Sequence, residues 1–145
     1  MAKLITKNKQ VFRDYEIIDK LEAGIVLQGW EVKSIRASDV NLKGSYCVFK
    51  ANELYLINSY IGLYMAVKGD ERQSRKLLLH KNQLRRLKQK VESQSLSIVP
   101  LSLYWNKKSK VKAEIALVRG LKKHDKREKL KKEETNKKLK KLISY

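Results

Sequence analysis

The 145-residue chain has one proline, one cysteine, two histidines and six glycines, and each shortage removes a class of protein. A lone Cys47 closes no internal disulfide, and with no Cys/His cluster there is no zinc-ligand set. A reducing compartment is expected, with the cytoplasm fitting best and no metal or cofactor required. Seven Gly and Pro together leave no flexible linker, so the chain reads as one domain with an appended segment. Long apolar runs are also missing. The uncharged windows Ala23 to Trp30 and Leu54 to Ala66 fall short of a bilayer span, and Asn58, Ser59 and Gly62 interrupt the second. The basic stretch Met1 to Gln10 leads into Arg13-Asp14-Tyr15-Glu16 instead of an apolar core, which argues against a secretory signal.

Acid is the remaining shortage. Thirty-four Lys and Arg stand against fifteen Asp and Glu, a formal charge of +19. Polyanions neutralise such charge by releasing condensed counterions, so nucleic acid leads as the partner class. A Lys-rich proteome is the alternative source of the charge. Its placement favours the first reading, because residues 119–145 carry 12 Lys/Arg and 4 Asp/Glu, a far denser excess than in residues 1–118, with 22 and 11. In that tail Leu121, Leu130, Leu139, Leu142 and Ile143 make no continuous apolar face. The expectation is a tail disordered alone. Asp125 followed by Glu128 nevertheless forms a helix start, and the Lys/Glu/Leu run after it favours helix, so folding on a partner is expected.

Residues 1–118 read as strands with two or three short helices. Tyr46 to Lys50 and Leu54 to Ile57 are β-branched and aromatic runs a hairpin apart. Val111, Ala113, Ile115 and Leu117 alternate with a partly polar face, the period of a half-buried strand. Leu96 to Trp105 is another strand, whose Pro100 calls for an edge or a bulge. Helical spacing links Leu21, Ile25, Gly29, Val32 and Ile35, then Leu84, Leu87 and Val91. Antiparallel strands interrupted by helices favour a small barrel of the oligonucleotide-binding kind, with an α+β sandwich as runner-up.

Catalytic groups are hard to find. His80 and His124 lie in basic surroundings, Cys47 sits in an apolar strand, and Trp30 stands where a phosphate loop beginning at Gly24 needs lysine. Binding groups are easier. Lys33 and Arg36 lie three apart on one helix beside Val32 and Ile35, an arrangement that presents two cations to phosphates and equally fits a solvated face. Arg72, Arg75, Lys76 and the basic helix from Lys81 to Lys90 form a second cationic surface. Tyr46, Tyr55, Tyr60 and Tyr64 are candidates for base stacking or for core.

Six blocks then occur in order: Asn8-Lys9, Glu22-Ala23-Gly24-Ile25, Gly29-Trp30-Glu31-Val32-Lys33-Ser34-Ile35-Arg36, Arg75-Lys76-Leu77-Leu78-Leu79, Val99-Pro100-Leu101-Ser102-Leu103-Tyr104-Trp105 and His124-Asp125-Lys126-Arg127. Together they resemble the SmpB family, the SsrA-binding proteins of bacterial trans-translation. The resemblance implies an OB-like six-stranded barrel that binds the tRNA-like domain of tmRNA. It also implies a tail helix in the empty mRNA channel of a stalled ribosome, with elongation factor Tu joined through the shared tmRNA. It carries over RNA contacts to Asn8, Lys9, Glu22, Leu78 and Lys110, beside Lys33 and Arg36. In the tail it carries over Arg119, Gly120, Lys122, His124, Asp125, Lys126 and Arg127, with His124 meeting decoding-site RNA and Leu142-Ile143 seating the far end. Leu121 stands where the family has a lysine, and Gln10-Val11 replace a more typical Lys/Arg-Ala. A general ribosome-associated OB-fold factor is the alternative, and an RNA-modifying enzyme a distant third.

Overall fold

A computed structural model describes residues 3–120. Its elements are β1 (Lys3–Lys7), α1 (Val11–Asp14), β2 (Tyr15–Ile25), α2 (Gly29–Arg36), β3 (Val40–Asn41), β4 (Tyr46–Lys50), β5 (Glu53–Ile57), β6 (Tyr60–Ile61), β7 (Arg75–Leu78), α3 (Lys81–Gln94), β8 (Ser97–Trp105) and β9 (Val111–Gly120). All pairings are antiparallel. The order β8-β4-β5-β7-β2-β9 returns to β8, so six strands close a ring, while β1 lies along the second half of β8 and β3 pairs β6 in a separate ribbon. This is the mainly-β barrel with three short helices that the sequence calls for.

The β4–β5 hairpin turns on Ala51 and Asn52, both at positive φ, the turn whose twist matches the flanking strands. Inward residues of the ring, among them Leu54, Leu56, Leu77, Ala113, Ile115 and Leu117, make the main core, joined by Ile35 from α2 and by Leu84 and Leu87 from α3. Cys47 is buried there and desolvation pushes its thiol pKa far up, so it is an inert core group.

Pro100 marks a bulge and not an edge. The β8–β9 register slips between Pro100 and Ser102, and β8 has neighbours on both sides. Here the outer face is covered as well: α1 and the start of β2 lay Val11, Phe12, Tyr15 and Ile17 over Val99, Leu101, Ala116 and Val118. Burial on both faces is why this stretch reads as an unbroken apolar run instead of an alternation.

Three sequence expectations need correction. Leu21 and Ile25 belong to β2, and only Gly29–Arg36 is helical, so the longer helical spacing joined two elements. The second cationic surface loses Arg75, which is 2% exposed and paired with Glu31, itself 1% exposed. Arg75 also donates to Ser59 O at 2.8 Å, Ser59 Oγ at 2.9 Å and Glu71 O at 3.0 Å, while Glu31 Oε1 accepts from Gln28 N at 2.8 Å in a capping box. This cluster locks α2 to the start of β7. Arg119 and Gly120, assigned to the tail from sequence, continue β9 opposite Glu16 and Tyr15. Lys122, His124, Asp125, Lys126, Arg127, Leu142, Ile143 and the expected tail helix lie outside the described residues.

Candidate RNA interface

The alternation of β2 and β9 sets the geometry of one face. Ala23 and Ala113 point inward, so Glu22, Gly24, Lys112 and Glu114 point outward. Across the sheet, Leu78 of β7 faces Gly24, Gly24 faces Lys112, and Lys112 faces Tyr104 of β8. Glu22, Gly24, Leu78 and Lys112 line one groove of about 420 Å³, with His80 and Gln83 from the start of α3 at its rim. Leu78 is 51% exposed although it carries no polar atom. The Tyr104 hydroxyl donates to Glu22 Oε2 across the intervening strand. Burial first, then this bond and the negative charge of Glu22 and Glu114, raise the Tyr104 pKa well above the ordinary tyrosine range, so it stays a donor.

The other sequence-derived residues are placed elsewhere. Lys110 is exposed in the β8–β9 turn, which Asn106 braces by accepting from Lys108 N and Lys110 N. Lys33 Nζ lies 5.6 Å from the Tyr64 ring centre, and Arg36 lies 5.8 Å from that of Trp105, so aromatic faces hold both cations in place on α2. Tyr55, Tyr60 and Tyr64 are half-buried, and Tyr46 is exposed on β4.

Asn8 is buried. Its backbone N donates to Leu101 O at 2.7 Å, and its Nδ2 donates to Pro100 O at 3.1 Å and Leu42 O at 3.3 Å. The bulge at Pro100 frees carbonyls from the β8–β9 ladder, and Asn8 satisfies them. Asn8→Ala is therefore expected to lower unfolding stability by about 1–3 kcal/mol, the cost of orphaning buried acceptors; an unchanged urea midpoint would refute this structural role. Lys9 is exposed beside it, in a groove of about 520 Å³ that also collects Lys7, Arg13 and Lys43.

Residues 3–120 carry 23 Lys/Arg against 11 Asp/Glu. Three of the four ion pairs found among them are exposed and long, Lys76–Glu53 at 3.9 Å, Lys90–Asp19 at 3.8 Å and Arg119–Glu16 at 3.6 Å, so most of the excess faces solvent. Sequence reasoning missed Gly24 and Lys112 as members of the groove and Tyr104 as the partner of Glu22. The outward alternation of Lys110, Lys112 and Glu114 was the available signal. Among the described residues no three His, Cys, Asp or Glu gather as metal ligands, and no helix is long and apolar enough to cross a membrane.

A closed six-stranded barrel with grooves lined by cations, exposed apolar groups and a braced carboxylate defines an OB-like RNA-binding module. The model of the SmpB protein family matches residues 5–145. An SsrA-binding protein of Mycoplasmopsis synoviae is 52% identical over 143 residues, covering 99% of each chain, and one of Helicobacter hepaticus is 53% identical over 134 residues, covering 90% of this chain and 86% of its own. A chain of the solved structure described as "tmRNA-SmpB: a journey to the center of the bacterial ribosome" is 44% identical, with a TM-score of 0.69 over 86% of this chain and 93% of that one. The chain belongs to the SmpB family, whose members are non-enzymatic RNA-binding proteins.

Proposed function

We propose that this chain, an SsrA (tmRNA)-binding protein of trans-translation, grips the tRNA-like domain of tmRNA with the outer face of β2, β7, β8 and β9 and delivers it to stalled ribosomes. The observation that carries this reading is the shared groove of Glu22 and Leu78 beside Lys112. A carboxylate on a basic face repels phosphate and is useful only to donors on bases or ribose, while Leu78 offers a surface for an unstacked base. Lys110, Lys9, Lys33 and Arg36, which lie outside this groove, supply phosphate contacts. On the ribosome the segment after Gly120 enters the empty mRNA channel and becomes helical from Asp125, with His124 at decoding-site RNA. Elongation factor Tu joins through the tmRNA. The cytoplasm is where these partners meet.

Two substitutions test the interface by differing in kind. Lys110→Ala is expected to weaken tmRNA binding and lower the slope of log affinity against log salt by ~0.7 to 0.9, one phosphate contact. Glu22→Ala is expected to cost discrimination between tmRNA and duplex RNA of equal length while the slope stays the same. Titrations at several salt concentrations read both; an unchanged affinity and discrimination in Glu22→Ala would remove Glu22 from the interface.

A further inference from the structure

We propose that the groove between β2, β7 and β9 is a subsite for one unstacked guanosine, with Tyr104 positioning the Glu22 carboxylate and Lys112 taking the nucleotide's phosphate. It rests on the tmRNA-binding reading above and adds to it a base identity and two residues.

An ionised carboxylate only accepts hydrogen bonds. Among the four bases, guanine alone presents two adjacent donors, N1–H and the 2-amino group, on its Watson–Crick edge. Adenine and cytosine set an acceptor beside their single amino group, and uracil flanks its one donor with carbonyls. A fixed carboxylate therefore selects guanine, provided that it is held still. Tyr104 holds it: the hydroxyl reaches from β8 past Lys112 of β9 to Glu22 Oε2 on β2. An exposed glutamate otherwise loses rotamer freedom when it binds, so a bond already made in the free protein favours capture. Glu114 stands directly across from Glu22, and this second acid deepens the local preference for a donor-rich edge.

The groove has a bare floor where the ring would lie. A Cβ built on Gly24 would stand 3.2 Å from Leu78 Cβ and 3.6 Å from Lys112 Nζ, so a side chain there would fill the space between apolar wall and cation. Leu78 offers its exposed side chain to one edge of the base. Lys112 makes no ion pair among the described residues, which leaves its ammonium for phosphate.

The test is inosine interference on full-length protein and tmRNA, since inosine removes only the 2-amino group of guanosine. Bound and unbound pools of randomly substituted tmRNA are compared. The expected result is at least one unpaired guanosine at which inosine weakens binding roughly 10- to 100-fold, the loss of one hydrogen bond to a charged group. In Glu22→Gln that guanosine-to-inosine ratio falls close to one. In Tyr104→Phe it falls several-fold while the thermal midpoint stays near the parent's, an effect that loss of packing alone would not produce. Lys112→Gln lowers affinity for both RNAs equally and keeps the ratio. Tight tmRNA binding by the parent protein with no inosine-sensitive guanosine, or sensitivity that persists in Glu22→Gln, overturns the guanosine subsite and leaves the tmRNA reading standing. A parent-like ratio in Tyr104→Phe overturns the positioning role. Failure of the parent protein to bind tmRNA overturns both readings together.

Discussion

A protein ending at Gly120 is expected to bind tmRNA nearly as well as the full chain and yet to support no peptide tagging on stalled ribosomes. The truncation removes residues 121–145, with 11 Lys/Arg and 4 Asp/Glu, so a loss of non-specific attraction follows from the charge alone. The grooves around Glu22 and Lys9 belong to residues 3–120 and remain. In the proposed reading, helix formation after Gly120 costs about 1–2 kcal/mol per residue in backbone entropy, which a confined polyanionic channel offsets and a free RNA surface does not. A Leu142→Ser, Ile143→Ser double variant separates apolar seating from charge, because it leaves every charged group in place. Tagging assays on stalled ribosomes, run beside tmRNA titrations, read the two activities separately. Normal tagging by the truncated protein would reject a role for this segment.

Arg75→Ala is expected to be the most damaging single change in the barrel. It leaves Glu31 buried without its counter-charge and orphans the carbonyls of Ser59 and Glu71, at a cost of about 3–5 kcal/mol. A domain of this size then melts lower by on the order of 10 °C. Replacing both partners, Glu31→Met with Arg75→Met, removes the charges together and is expected to recover a large part of that loss. Calorimetry on the single and double variants gives the coupling. If Arg75→Ala melts within about 2 °C of the parent, the pair does not hold α2 to β7.

These two side chains also show how far the sequence reaches. Glu31 and Arg75 sit in blocks that match an RNA-binding family, and Arg75 stands among Arg72 and Lys76, so it reads as a surface cation; only the ring of strands brings it 44 residues back to Glu31 and out of water. Asn8 is similar, because its value comes from the bulge at Pro100, a feature that exists only once β8 and β9 are paired. Strands with one buried and one solvated face were legible: Val111 to Leu117 alternates because its two faces meet different solvents. Strand β2 was not, since a bulge between Ile17 and Asp19 breaks its period and only Ala23 of its residues is fully buried. Of the groove, Glu22 and Leu78 were legible through family resemblance, whereas Lys112 joins it, and Tyr104 reaches Glu22, by cross-strand register, which no linear spacing encodes.

The closure of the ring has a consequence for synthesis. Strand β1 pairs with β8, and β2 finds most of its partners on β9, at sequence separations of roughly a hundred residues. Chains emerge from the ribosome N-terminus first, so the earliest strands leave the exit tunnel long before the strands that complete them. Until Gly120 follows, β2 presents one long edge with no neighbour, and such edges recruit other chains. The central hairpin of β4 and β5, closed by its two-residue turn, is the part able to form early. A protein that serves stalled ribosomes thus completes its own barrel only after β9 has emerged, and a ribosome that stops before residue 120 while making it leaves no folded copy behind.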